Sequence, residues 1–144
     1  MFNNACYKFM GKKSETKYWK AASDACNQVG GNLTSIHSKK EVDFIQTLID
    51  PPNLFSIWIG GKRNGNSFQW IDGSPFDCDI WGVKLPDNEG GNENCMEFIT
   101  EREIFNDRPC DEPKSKHQKS FICKKLLIGG NVYKNISRYI KLNL

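Results

Sequence analysis

The chain has 144 residues, which suits one domain with one core, and its composition excludes a disordered, collagen-like or helix-spanned membrane protein. The net charge of +3 is unevenly spread: residues 124–144 carry five basic groups and no acid, which leaves residues 1–123 at −2. A slightly acidic body argues against a nucleic-acid-binding core, which would present a basic face.

Cys6-Tyr7-Lys8-Phe9 alternates as a strand does, and Gly11-Lys12-Lys13 breaks it. Trp19, Ala22, Cys26 and Val29 recur at helical spacing, which predicts a helix that buries Cys26. Ser14 or Thr16 is the predicted cap and Gly30-Gly31 the stop. Leu33 to Ile36 is a short extended piece. Ser38-Lys39-Lys40-Glu41 reads as a capping box for a second helix with Val42, Ile45, Leu48 and Ile49 on its apolar face. Pro51-Pro52 ends that helix.

From Phe55 the pattern turns to strands. Phe55 to Ile59 is a buried run ending at Gly60-Gly61, Lys62 to Asn66 is a polar turn, and Phe68 to Ile71 is the next strand. Positions 72–94 form a long loop rich in glycine and proline, and loops of that length are usually functional. Cys95 to Ile99 and Ser120 to Cys123 are the last clear strands. Leu126 to Ile128 prolongs the final strand, Gly129-Gly130 is a hinge, and Val132, Ile136, Tyr139 and Ile140 line one face of a short helix.

The cysteines stand at 6, 26, 78, 95, 110 and 123. None is spaced as Cys-x-x-Cys, which argues against a zinc ribbon or a redox pair. Two or three disulfides formed in an oxidising compartment are predicted instead, and spacing alone does not choose the pairs. The first residues lack a signal-peptide pattern. A disulfide-rich chain without an export signal implies an N-terminal portion beyond this sequence.

Leu85 to Cys110 is rich in side chains that end in carboxylate or amide oxygens, and Asp87, Glu93, Asn106 and Asp107 are the four singled out among them. Calcium takes six to eight oxygens at about 2.3–2.6 Å, and a loop-rich span carrying such oxygens is a candidate site for it. Asn88 and Asn92 are read as turn residues, and Glu97 as the exposed side of a strand. Asp77 and Asp79 are not assigned to a second ion. Two histidines, His37 and His117, lie beside no nucleophile, and neither a phosphate loop nor His-Glu-x-x-His occurs, so an enzyme is not predicted. His37 is read as a loop residue, and the basic run Lys114 to Lys119 as a solvated face. Asn32-Leu33-Thr34 and Asn135-Ile136-Ser137 fit the N-glycosylation pattern, the second being the more accessible.

Taken together, Cys6-Tyr7-Lys8-Phe9, Trp19 with Ala22 and Cys26, Trp58-Ile59-Gly60-Gly61, Trp70-Ile71-Asp72-Gly73, Trp81, Pro86, Glu93-Asn94-Cys95, Asn106-Asp107 with Cys110, and Phe121-Ile122-Cys123 resemble a C-type lectin-like domain. The resemblance covers about residues 5–125, so residues 1–125 are taken as the domain and 126–144 as a basic tail outside it.

The resemblance implies an α+β double-loop fold. Two helices flank two small antiparallel sheets, and a long ligand-binding loop projects from one end. It pairs Cys26 with Cys123 and Cys95 with Cys110. Cys6 matches one end of the N-terminal bridge of long-form members, whose partner lies upstream. A Cys6–Cys78 bond is not expected, because the two belong to opposite ends of the fold. Cys78 is read as a free thiol or an intermolecular bridge.

The resemblance also implies that Asp87, Glu93, Asn106 and Asp107 hold a Ca2+ ion, and that Asp87, Glu93 and Asn106 bond a sugar. Leu85 stands where such members carry an oxygen ligand, so calcium binding is predicted to persist but weaken. Asp87 leans the sugar preference toward galactose. Trp81 is read as a core residue at the loop base. The implied partners are glycans or glycoproteins outside the cell. A calcium-independent protein-binding domain is the alternative.

Overall fold

The computed structural model describes residues 1–52, 54–111 and 118–127. The predicted hinge and helix of the tail, the sequon at Asn135 and residues 114–117 of the basic run, with His117, lie outside the described residues. Lys119, at the end of that run, is described, and it is half-buried against Glu97 rather than solvated.

The first strand, β1 (Ala5–Met10), leads through a 3-10 turn to α1 (Trp19–Gln28). Then come β2 (Asn32–Leu33), α2 (Lys39–Leu48), β3 (Ser56–Asn64) and β4 (Ser67–Trp70). After the long loop follow β5 (Cys95–Ile99), β6 (Ile104–Arg108) and β7 (Ser120–Leu126). The strand order is β1-β7-β3-β5-β6, with β2 beside β7 and β4 beside β3.

Two antiparallel groups, β1-β7-β2 and β4-β3-β5-β6, are thus joined into one sheet. The joint is a short parallel pairing of Ile57 with Ser120 and Trp58 with Phe121. The two small sheets expected from the sequence are therefore continuous through it.

Helix α1 buries Trp19, Ala22, Ser23 and Cys26. Its N-cap is Tyr18, with no side-chain cap, because Ser14 belongs to the preceding 3-10 turn. Ser38 caps α2 as predicted, accepting from the Glu41 N–H at 3.2 Å. The Glu41 carboxylate is buried and does more than close a capping box. It accepts from the Tyr7 hydroxyl (2.6 Å), the His37 N–H (2.8 Å) and Lys124 Nζ (2.7 Å), which ties α2 to β1 and β7. Burial, with the Glu41 charge, pushes the Tyr7 phenol well above its usual value.

Gly60-Gly61 does not end β3, which runs on to Asn64. The two glycines serve close packing instead. A Cβ on Gly60 would lie 2.4 Å from the Leu33 carbonyl oxygen, and one on Gly61 would lie 1.8 Å from Met96 Sδ. The polar turn shrinks to Gly65-Asn66, with Gly65 at φ 60°.

Both expected disulfides are present, Cys26–Cys123 and Cys95–Cys110. Cys6 and Cys78 are unbonded, Cys6 buried in β1 and Cys78 half-buried in the long loop. The first sequon sits badly for a glycan: Asn32 is half-buried in β2, and Thr34 is fully buried with its hydroxyl on the Ser35 carbonyl.

Candidate metal and carbohydrate site

The long loop runs over the β4-β3-β5-β6 group and returns at Glu93, just before β5. Asp87 follows the cis Leu85-Pro86 bond and is exposed, whereas Glu93 and Asp107 are buried. One carboxylate oxygen from each of the three lies within 4.8 Å of the others. Residues 20 positions apart in sequence thus form one anionic cluster.

Loop backbone holds that cluster in place. Asp107 accepts from the Asp87 N–H (3.1 Å) and the Asn88 N–H (2.9 Å). Glu93 accepts from the Glu89 N–H at 3.0 Å. Asn88 acts as the turn residue foreseen: at φ 49° it donates to Asp107, and its amide oxygen accepts from the Glu93 N–H at 3.0 Å. Burial and the neighbouring Asp107 charge push the Glu93 carboxyl up to about 7. Crowded carboxylates of this kind suit a cation, and an all-oxygen donor set suits calcium.

Asn106 is placed differently. It faces Glu97 across the β5–β6 ladder and donates its amide N–H to Glu97 Oε1 at 2.8 Å. Successive strand residues point to opposite faces, and that amide nitrogen is committed to Glu97. Asparagine and aspartate adjacent in sequence look equivalent until the strand β6, which the sequence pattern did not reveal, separates them.

Glu97 corrects a sequence reading. It is not on an exposed edge but fully buried, between Lys119 Nζ (2.9 Å) and Arg108 Nε (3.0 Å). Burial pushes its carboxyl up, but the Lys119 charge and the Asn106 bond outweigh that and hold it below the usual range. A lowered folded pKa stabilises the fold above the unfolded pKa of about 4.3, and the contribution disappears as pH falls further. Glu97→Ala takes from Lys119 and Arg108 the buried carboxylate they share and is expected to cost about 3 kcal/mol. Urea unfolding at pH 7 and at pH 3 checks this, since the difference between wild type and variant should shrink in acid.

Leu85 packs its Cδ1 against Gly82, where an added Cβ would lie 2.8 Å from it. With Pro86, Phe68, Phe76 and Trp81 it lines an open cleft of about 670 Å³ beside the cluster. Trp81 is half-buried and packs on Phe68 (5.0 Å) and Phe105 (5.9 Å), as a residue at the loop base should. Asp77 pairs with His37 Nδ1 at 2.6 Å, and Asp79 accepts from the Trp81 N–H at 3.5 Å. His37, read as a plain loop residue, therefore fastens the long loop to the β2–α2 junction.

Arg63, expected in a polar turn over Lys62 to Asn66, lies in β3 and reaches the cluster. Its Nη2 lies 2.6 Å from Asp107 Oδ2, and its Nε donates to the Glu93 carbonyl at 3.0 Å. Nothing in its local sequence marks it, because the contacts come from the end of the long loop and from β6. Arg108 Nη1 is a second cation, 3.8 Å from Glu93.

Residues 15–125 match the family described as the Lectin C-type domain, and the chain belongs to it. This is a family of carbohydrate-binding proteins rather than enzymes. The galactose-specific lectin nattectin of Thalassophryne nattereri is 36% identical over 114 residues, 76% of this chain and 68% of that protein. The carbohydrate-recognition domain of cow CD23, solved in the presence of a GlcNAc2Man3 oligosaccharide, superposes with a TM-score of 0.72 at 30% identity, covering 87% of this chain and 90% of that one. A calcium-independent type II antifreeze protein superposes at 0.74 with 26% identity, covering 89% and 91%. The family thus includes a member that dispenses with calcium. Among the described residues, no helix is long and apolar enough to cross a membrane.

Proposed function

We propose that residues 1–125 form an extracellular carbohydrate-recognition domain that binds sugars through a calcium ion held by Asp87, Glu93 and Asp107. The convergence of those three carboxylates, within 4.8 Å of one another, carries the reading. A bound calcium supplies open coordination positions for neighbouring hydroxyls of a sugar. The chain's own residues supply the rest. Asp87, the exposed member, offers a carboxylate oxygen at the surface to accept a hydrogen bond from a sugar hydroxyl. Glu93 and Asp107 are oriented by the loop N–H groups of Glu89, Asp87 and Asn88. Asn106, with its amide nitrogen on Glu97, is the weakest of the four ligands expected from sequence.

Leu85 contributes no oxygen, so the ligand set is short and the affinity falls in the range of about 10⁻⁴–10⁻³ M found for extracellular calcium modules. Asp87, together with the likeness to a galactose-specific lectin, favours galactose-type glycans or glycoproteins as partners. Calorimetry of the purified chain is expected to show heat on calcium addition in the millimolar range. A glycan array is expected to lose its signal in chelator, with galactosides brighter than mannosides.

A second reading has one specific observation in its favour. Asp107 already accepts from two backbone N–H groups and a guanidinium, so protein donors compensate its charge. That arrangement suits a calcium-independent binding domain. Ligand binding that survives chelation, with no calcium heat, would replace the first reading by the second.

A further inference from the structure

We infer that Arg63 is the built-in counter-cation of the Asp87–Glu93–Asp107 cluster, and that calcium binds only by displacing its guanidinium from Asp107. The inference rests on the proposed calcium reading and goes further, by naming what competes with the ion.

Three contacts fix Arg63 where it is. Its backbone N–H donates to the Asn94 carbonyl (2.8 Å), its Nε to the Glu93 carbonyl (3.0 Å), and its Nη2 to Asp107 (2.6 Å). The side chain is 15% exposed and its partner carboxylate 0%. A pair so buried is screened little by water or salt. The oxygen that Arg63 holds, Asp107 Oδ2, belongs to one of the three clustered carboxylates. A divalent ion drawing on that carboxylate shares it with a guanidinium already bonded to it, and like charges on one carboxylate repel. Calcium and the guanidinium therefore exclude each other.

The guanidinium also has somewhere to go. Its carbon sits 4.6 Å from the centroid of the Phe68 ring, a cation–π arrangement that remains available once Asp107 is released. Phe68 lines the open cleft beside the cluster, so the displaced group stays on the protein surface rather than in the core.

The test is calcium chloride titration of the full chain by calorimetry, for wild type and Arg63→Gln, with thermal melting of both in chelator and in saturating calcium. The glutamine variant is expected to bind calcium at least tenfold more tightly. It should melt lower than wild type in chelator, and calcium should raise its melting temperature by more. If wild type binds no calcium and the variant does, the inference stands and calcium binding by the natural chain falls. If wild type binds and the variant binds equally or more weakly, the inference falls and the calcium reading stands. If neither binds, both fall.

Should the glutamine variant fail to fold, the wild type alone suffices. The Arg63 Nε–H nitrogen-15 resonance should be protected from exchange in chelator, then shift and lose protection on calcium addition. A resonance unmoved by calcium that binds elsewhere by calorimetry overturns the inference.

Discussion

Alanine at Asp107 is expected to abolish calcium binding and lower the unfolding free energy by about 3 kcal/mol. The two effects share one cause. Asp107 is fully buried and accepts from Arg63, Asp87 and Asn88, so its removal leaves a guanidinium and two backbone N–H groups without their acceptor. Breaking a fully buried pair costs about 3–5 kcal/mol. The lower end applies here because Arg63 reaches solvent and the loop N–H groups can recruit water. Asp107→Asn keeps the shape and one oxygen, and is expected to cost about 1–2 kcal/mol. Urea unfolding with calcium calorimetry on the same samples measures both. An alanine variant that unfolds like wild type would mean that the loop is not held through Asp107.

The second large effect concerns the disulfides. Removing Cys26–Cys123 by paired alanines is expected to cost more stability than removing Cys95–Cys110. The first closes a separation of 97 residues and the second one of 15. The chain-entropy model assigns about 4.7 kcal/mol to a loop near 100 residues and about 3 kcal/mol to one of 15. Function should rank them the other way. Cys95 and Cys110 staple the end of the β5–β6 pair, beside Glu93 and Asp107, whereas Cys26 and Cys123 tie α1 to β7 among the core residues Trp19 and Phe121. Loss of the short bridge is therefore expected to weaken calcium binding in protein that remains folded at 25 °C. Denaturant midpoints and calorimetry on the two double variants separate these outcomes. Equal midpoints would show that loop length does not control this fold.

Much of the architecture was legible in the linear pattern. The apolar spacing of Trp19, Ala22 and Cys26 located α1, and Ser38 with Glu41 marked the start of α2. The strands at β5 and β7 stood out as apolar runs. Such signals are local: each depends on neighbours within one or two turns, or on alternation along one strand. The glycines at 60 and 61 misled because a glycine that ends a strand and one that admits a neighbouring strand look the same in sequence. Only the closeness of Leu33 and Met96 tells them apart.

By itself, the order of residues determined the family likeness, the two cysteine pairs that the likeness implies, and the carboxylates at 87, 93 and 107. It did so because periodicity, capping and motif order are properties of short stretches. Tertiary structure alone decided which charges meet. It sent Asn106 and Asp107 to opposite faces of β6, buried Glu97 between Lys119 and Arg108, and brought Arg63 from a hairpin onto Asp107. Electrostatic energy depends on distance through space and on burial, and neither quantity can be read from positions 44 residues apart along the chain.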